Sequence, residues 1–152
     1  MLDDLKNKIS VLQSFDAEFE LEKIIQDKSD ILVGLQKSQW AQGIDRNDEA
    51  TKLDGRDYYS VFTYNYKNLN GSGLGAVTDY ITGYMSGDLY QNTSLSIKDK
   101  EVVFSSSVSY WTELVDRTGD QWPGLTADNR LSFAEKQVTP VIKMVFKERM
   151  GF

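Results

Sequence analysis

A chain of 152 residues without a single cysteine or histidine has no disulfide to staple it and almost no means of holding zinc, so apolar packing has to carry its fold. The same absence removes the commonest general base, the usual thiol nucleophile and thiolate iron–sulfur ligation. Catalysis would have to come from carboxylate, serine, tyrosine or lysine groups, or from a hard cation held by oxygen. Hydrophobic residues make up 40% and charged residues 26%, the balance of an ordinary folded soluble protein, and the length predicts one compact domain over residues 1–152.

Charge narrows the partners. The formal charge of −6 sets Coulomb repulsion against phosphate, and the basic residues do not cluster, so specific nucleic-acid binding is not expected. The opening residues MLDDLKNKIS fit neither a secretory signal nor a transit peptide, and no apolar run reaches the roughly eighteen residues that would span a bilayer. A cytosolic chain without a membrane partner is the expectation, and neither internal repeats nor low-complexity tracts occur.

The periodicity predicts an α+β fold. Leu2, Leu5, Ile9 and Leu12 recur at helical spacing. Phe15, Phe19, Ile24, Ile25, Ile31, Leu32 and Leu35 continue the apolar set to about Trp40, with a break near Ser29 and Asp30. Gly43 and the following IDRNDEATKLDG read as a surface loop. RDYYSVFTYNYKN is rich in strand-favouring aromatics, yet Tyr59, Phe62 and Tyr66 share a helical face, and a helix is preferred. Residues 68–80, beginning NLNGSGLG, read as a flexible loop after a helical part spanning about 1–67.

From Asp88 the period changes to two. Leu89, Leu95 and Ile97 alternate with polar residues, Lys98-Asp99-Lys100 turns the chain, and EVVFSSSV returns with Val102 and Phe104 inward, which predicts a hairpin over about 88–106. Ser132 and Glu135 have capping-box spacing ahead of an amphipathic pattern at Val138, Val141, Ile142, Val145 and Phe146. Pro140 either kinks one helix or stands at the start of a second one capped by Thr139; the second arrangement is preferred, ending at Gly151. Sheet and C-terminal helix together span 81–150.

Several motifs suggest chemistry and fail on context. Gly71-Ser72-Gly73-Leu74-Gly75-Ala76 matches a permissive dinucleotide-binding pattern, but no buried strand precedes it and no parallel crossover surrounds it. Asp45, Asn47, Asp48 and Glu49 resemble a calcium loop, but Ala50 stands where glycine is needed and Arg56 where the twelfth-position glutamate belongs. No cofactor and no metal is expected. Glu113, Asp116 and Asp120 lie near Trp111 and Trp122, so a carbohydrate-binding or carbohydrate-active cleft, with paired carboxylates above an aromatic floor, is an alternative. The tyrosines at 58, 59, 64 and 66 have only Arg56 and Lys67 for company, a composition that suits core or protein contact better than stacked bases.

The order of the second half carries a resemblance. Thr82-Gly83 precedes a hairpin; the return strand leads to Ser107-Val108-Ser109-Tyr110; an acidic helical turn closes at Thr118-Gly119; and a Pro-containing helix ends the chain. Gly43-Ile44-Asp45 and a Tyr-rich segment ending at Lys67 complete the pattern in the first half. This arrangement resembles the neck and tail-completion proteins of tailed bacteriophages, best over residues 82–119. It departs from them at Met85, where leucine is usual, at Trp111, where alanine is usual, and at a closing glycine that arrives about two positions late with the Gly-Thr pair reversed.

The resemblance implies a virion subunit, not an enzyme, present in the host cytoplasm during assembly. It would form a homo-oligomeric ring in the head-to-tail joint against other connector, portal or tail proteins, with DNA passing nearby without specific binding. The contact residues expected on this reading are Tyr58, Tyr59, Tyr66, Thr82, Gly83, Tyr110, Trp111, Trp122, Pro123 and Leu125, with core packing the open alternative for the tryptophans. Open sheet edges would supply further contacts, and the 68–80 loop would order on assembly.

Overall fold

The computed structural model describes residues 2–84 and 86–151, so Met85 of the family comparison lies outside the described residues, as do the side chains of Leu2, Leu5 and Leu12. The chain is an α+β arrangement of helices with one two-stranded antiparallel sheet. It divides into two compact units, Ser29–Arg130 and Met1–Lys28 with Leu131–Phe152. The expectation from the sequence was one domain over residues 1–152, with internal bounds at about 67 and 80.

In the unit made by the two ends of the chain, α1 (Leu2–Gln13) and α2 (Ala17–Asp27) are separated where Asp16 accepts a hydrogen bond from the Phe19 amide at 3.0 Å, an N-cap that starts a new helix. Phe15, in that break, meets Phe146 edge-to-face at 5.9 Å between ring centroids. Arg149 lies over the Phe15 ring and pairs with the nearly buried Glu20. Phe146 and Arg149 belong to α8 (Thr139–Met150), which ends on Gly151 at φ +71° as the sequence predicts.

The approach to α8 differs from the expectation. The preceding helix α7 (Ala127–Phe133) starts well before Ser132, capped by Thr126, whose hydroxyl accepts from the Asn129 amide at 3.3 Å. Ala134–Val138 then widen into a π turn leading directly to Thr139, and the Thr139 hydroxyl donates to the Ala134 carbonyl at 3.0 Å. Pro140 lacks an amide hydrogen and crowds the preceding turn, and a widened turn is a way to carry it without ending the helix.

The Ser29–Arg130 unit holds the sheet. Its first helix, α3 (Ser29–Ala41), begins at the break expected near Ser29 and Asp30. An irregular stretch follows, in which Asp45 folds back to accept amide hydrogens from Asn47 at 2.8 Å and Glu49 at 3.2 Å; the apparent calcium-loop acid is a turn-former. Helix α4 (Val61–Asn70) is capped by Ser60, and the glycine-rich segment after it contains a 3₁₀ turn, Gly73–Ala76, with Gly75 buried. The expected 68–80 loop therefore includes one short helical turn.

The hairpin is shorter than predicted. Asp88–Gln91 forms a helical turn, α5, and the strands are β1 (Thr93–Lys98) and β2 (Glu101–Ser106), with Leu95 opposite Phe104 and Ile97 opposite Val102. Asp99 and Lys100, at φ +49° and +68°, make the two-residue turn whose twist matches antiparallel strands. Leu89 and Tyr90 remain buried, but from a helical turn that Gly87 initiates at φ +94°. Helix α6 (Trp111–Thr118) closes on Gly119, and its Arg117 pairs with Asp54 at 2.8 Å.

Candidate partner-contact surface

The core of the Ser29–Arg130 unit is built from the tryptophans. Trp40 and Trp122 are fully buried and stack with centroids 4.5 Å apart and planes 18° from parallel, and Trp111 tilts against both at about 6 Å. The Trp40 indole donates to the Trp122 carbonyl at 3.0 Å. Beside this stack, the buried Gln39 donates to the Gly124 carbonyl at 2.7 Å and accepts from the Thr126 amide at 2.9 Å and from Asn129 at 3.2 Å. One α3 side chain thus supplies the hydrogen bonds that the 124–126 backbone loses on burial.

Thr82 and Gly83 lie against the same core. The Thr82 amide donates to the Tyr59 hydroxyl at 2.9 Å, its carbonyl accepts from the Tyr90 hydroxyl at 2.9 Å, and its hydroxyl accepts from the Tyr84 amide at 3.1 Å. Trp122, Leu125, Tyr59 and Thr82 are therefore core residues, corrected from the expected partner contacts, because their surfaces are already enclosed by their own chain. Gly83, Trp111 and Pro123 are half-buried. Only Tyr58, Tyr66 and Tyr110 of the expected set are exposed.

What the sequence reading did not anticipate is the orientation of α4. Tyr66 and Phe62 do share a face, but it is the outer one: Val61, Phe62 and Leu69 are each about four-fifths exposed, while Lys67 is buried. The Lys67 ammonium donates to the Tyr84 carbonyl at 2.6 Å and sits 4.7 Å from the centre of the Tyr59 ring. Tyr59, ahead of the helix, and Lys67, within it, hold α4 to the Thr82–Tyr84 segment, and that attachment turns the apolar stripe outward. An open groove of about 700 Å³, lined by Arg56, Tyr58, Tyr59, Val61, Tyr64 and Thr78 among others, runs beside the N-terminal half of α4.

One sequence signal could have found this surface. Residues 58–78 contain one charged side chain, Lys67, in a protein that is 26% charged, and that one is buried. The whole segment therefore presents an uncharged exterior. Large exposed apolar patches on a folded chain mark contact sites.

Burial pushes the Lys67 amine below its ordinary 10.5. Between that depressed folded value and 10.5 the unfolded chain holds more protons, so stability rises with pH across this window. Burial moves the Tyr90 phenol upward, which lowers stability only above the ordinary phenol value of 10.0. Comparing urea midpoints of the wild type and Lys67→Met from neutrality up to that value isolates the lysine. The wild type is expected to gain stability relative to the variant as pH rises; parallel curves would refute the assignment.

Of the two tryptophans that the carbohydrate alternative needs as a floor, Trp122 is enclosed in the core and Trp111 is half-buried. Glu113 is drawn to Arg117, 3.7 Å away within α6, and no group of three or more acidic residues positioned to hold a metal ion occurs among the described residues. No helix among them is long and apolar enough to cross a membrane. No family model, no curated protein and no solved structure matches the chain.

Proposed function

We propose that this chain is a non-catalytic assembly subunit of a tailed-phage virion, forming a ring in the head-to-tail joint through which DNA passes. The observation that carries an assembly role is the inverted helix α4, which buries its one cation and turns an uncharged apolar stripe to solvent. An uncharged apolar face of this kind is one that a chain buries against another chain. The neck assignment draws on the order of elements shared with that family: Thr82-Gly83, the β1–β2 hairpin, the turn of α6 closing at Gly119, and the Pro-containing α8. Among the described residues each strand of the hairpin pairs with one other strand, and strand addition from a neighbouring copy would use an outer edge.

Negative-stain imaging and light scattering of the purified chain over a wide concentration range test this reading. Particles with a central opening are expected at high concentration, and the gene is expected to lie among those for portal and tail proteins. A monodisperse monomer at every concentration, encoded away from virion genes, would overturn it.

A further inference from the structure

The geometry points to a second copy of this chain as the occupant of the α4 face, with the two α4 helices paired antiparallel about a two-fold axis between Asn65 and Tyr66. The inference rests on the reading of α4 as a contact surface and names what covers it.

Phe62, Asn65, Tyr66 and Leu69 fall at i, i+3, i+4 and i+7, one continuous stripe along the helix. That stripe is complementary to its own reverse. Turned end for end about its midpoint, it sets Phe62 against the partner's Leu69 and Asn65 against the partner's Tyr66. The Tyr66 hydroxyl can then donate to the amide oxygen of the partner's Asn65, and the symmetric bond forms on the other side of the axis. A two-fold contact requires this self-matching, and an antiparallel pair also opposes the helix dipoles.

Charge and area favour the same occupant. Two chains of net charge −6 repel wherever acidic residues meet, and residues 58–78 present no exposed charge to do so. A strongly basic partner would find nothing there to pair with. A purely apolar occupant would cover Asn65 at the centre of the stripe without offering its amide a hydrogen bond. Tyr58, Val61, Phe62, Tyr66 and Leu69 are 57, 78, 80, 47 and 83% exposed. They leave on the order of 600 Å² uncovered per copy, most of the roughly 800 Å² each partner contributes to a standard interface.

This contact is isologous and joins two copies; a ring needs a separate head-to-tail contact, which α4 does not supply. The pair and the ring can therefore fail independently.

Sedimentation velocity of the full chain across concentration, with the variants Phe62→Lys and Leu69→Glu, tests the pairing. Both substitutions replace exposed side chains, and unchanged melting curves verify that each variant folds. Each variant alone is expected to weaken dimerisation by about 100-fold, because it sets an unpaired charge against an apolar side chain. Mixing the two is expected to restore association to within about tenfold of wild type, since the introduced ammonium of one copy then faces the introduced carboxylate of the other.

Restoration by mixing Phe62→Lys with Phe62→Glu instead would overturn the antiparallel arrangement in favour of a parallel one. A wild-type chain that stays monomeric, or that associates with phosphatidylcholine vesicles and not with itself, would overturn the pairing altogether. Rings formed by a wild-type chain whose association Phe62→Lys and Leu69→Glu leave unchanged would remove the pair and leave the neck reading standing. Pairs without rings support the pairing and count against the neck reading.

Discussion

Trp122→Ala is expected to destabilise the Ser29–Arg130 unit by about 3–5 kcal/mol, the range for removing a large buried aromatic side chain from a packed core. The ring is fully buried, stacks on Trp40 and tilts against Trp111, so its removal leaves a cavity bounded by two other indoles that have no equivalent place to go. Chemical denaturation followed by near-ultraviolet circular dichroism reads the effect directly, since the aromatic signal reports this stack. Trp122→Phe keeps an aromatic face against Trp40 and is expected to cost about half as much. The comparison also separates two roles for the residue. A partner anchor would leave the melting of the isolated chain unchanged and weaken only assembly; a core residue lowers stability at any concentration. A loss below about 1 kcal/mol for the alanine variant would remove Trp122 from the core.

Gly83→Ala is expected to cost about 2–4 kcal/mol, combining a strained left-handed backbone with overpacking. The residue has φ +67°, and an added methyl would lie 2.7 Å from Trp122 Cζ2 and 3.0 Å from Cη2. Neither side can yield cheaply. Trp122 is held in the stack, and the neighbouring Thr82 is held by Tyr59 and Tyr90. Gly55→Ala is the control: φ is +77°, but nothing lies within 4 Å of the added methyl, so only the backbone strain of about 1 kcal/mol remains. Urea midpoints of the two variants should therefore differ clearly. Equal costs would mean that the indole moves aside, and the close approach of Thr82-Gly83 to the core would lose its energetic meaning.

These two positions show how far a motif can be read without its surroundings. Thr82-Gly83 is conspicuous in the sequence, and the family resemblance makes it a contact point. In the folded chain it is a close crossing over an indole, with all three polar groups of the threonine engaged. The partner surface itself was half legible. A helix within residues 56–68 was expected from the shared face of Tyr59, Phe62 and Tyr66, because helical spacing is a local property; the helix runs over Val61–Asn70, leaving Tyr59 ahead of it. Which way that face points is not local. It depends on Lys67 finding the Tyr84 carbonyl and the Tyr59 ring, and the Tyr84 contact joins residues seventeen positions apart. An apolar stripe on an amphipathic helix is ordinarily the buried one, so the usual rule assigns the wrong side here.

Local pattern and composition were enough for the mixed α+β class, the Asp99-Lys100 hairpin turn, the break before Ser29, the helix stop at Gly151 and the need for a core without disulfides. Each follows from neighbours within a few residues or from which residue types are present. Three other features required the folded chain: Trp40 and Trp122, more than eighty residues apart, stack in one core; Gln39 supports the 124–126 backbone; and α4 turns its aromatics outward. The physical reason is common to all three: a side chain's spacing states which neighbours share its face, whereas burial depends on which distant segment arrives to cover it.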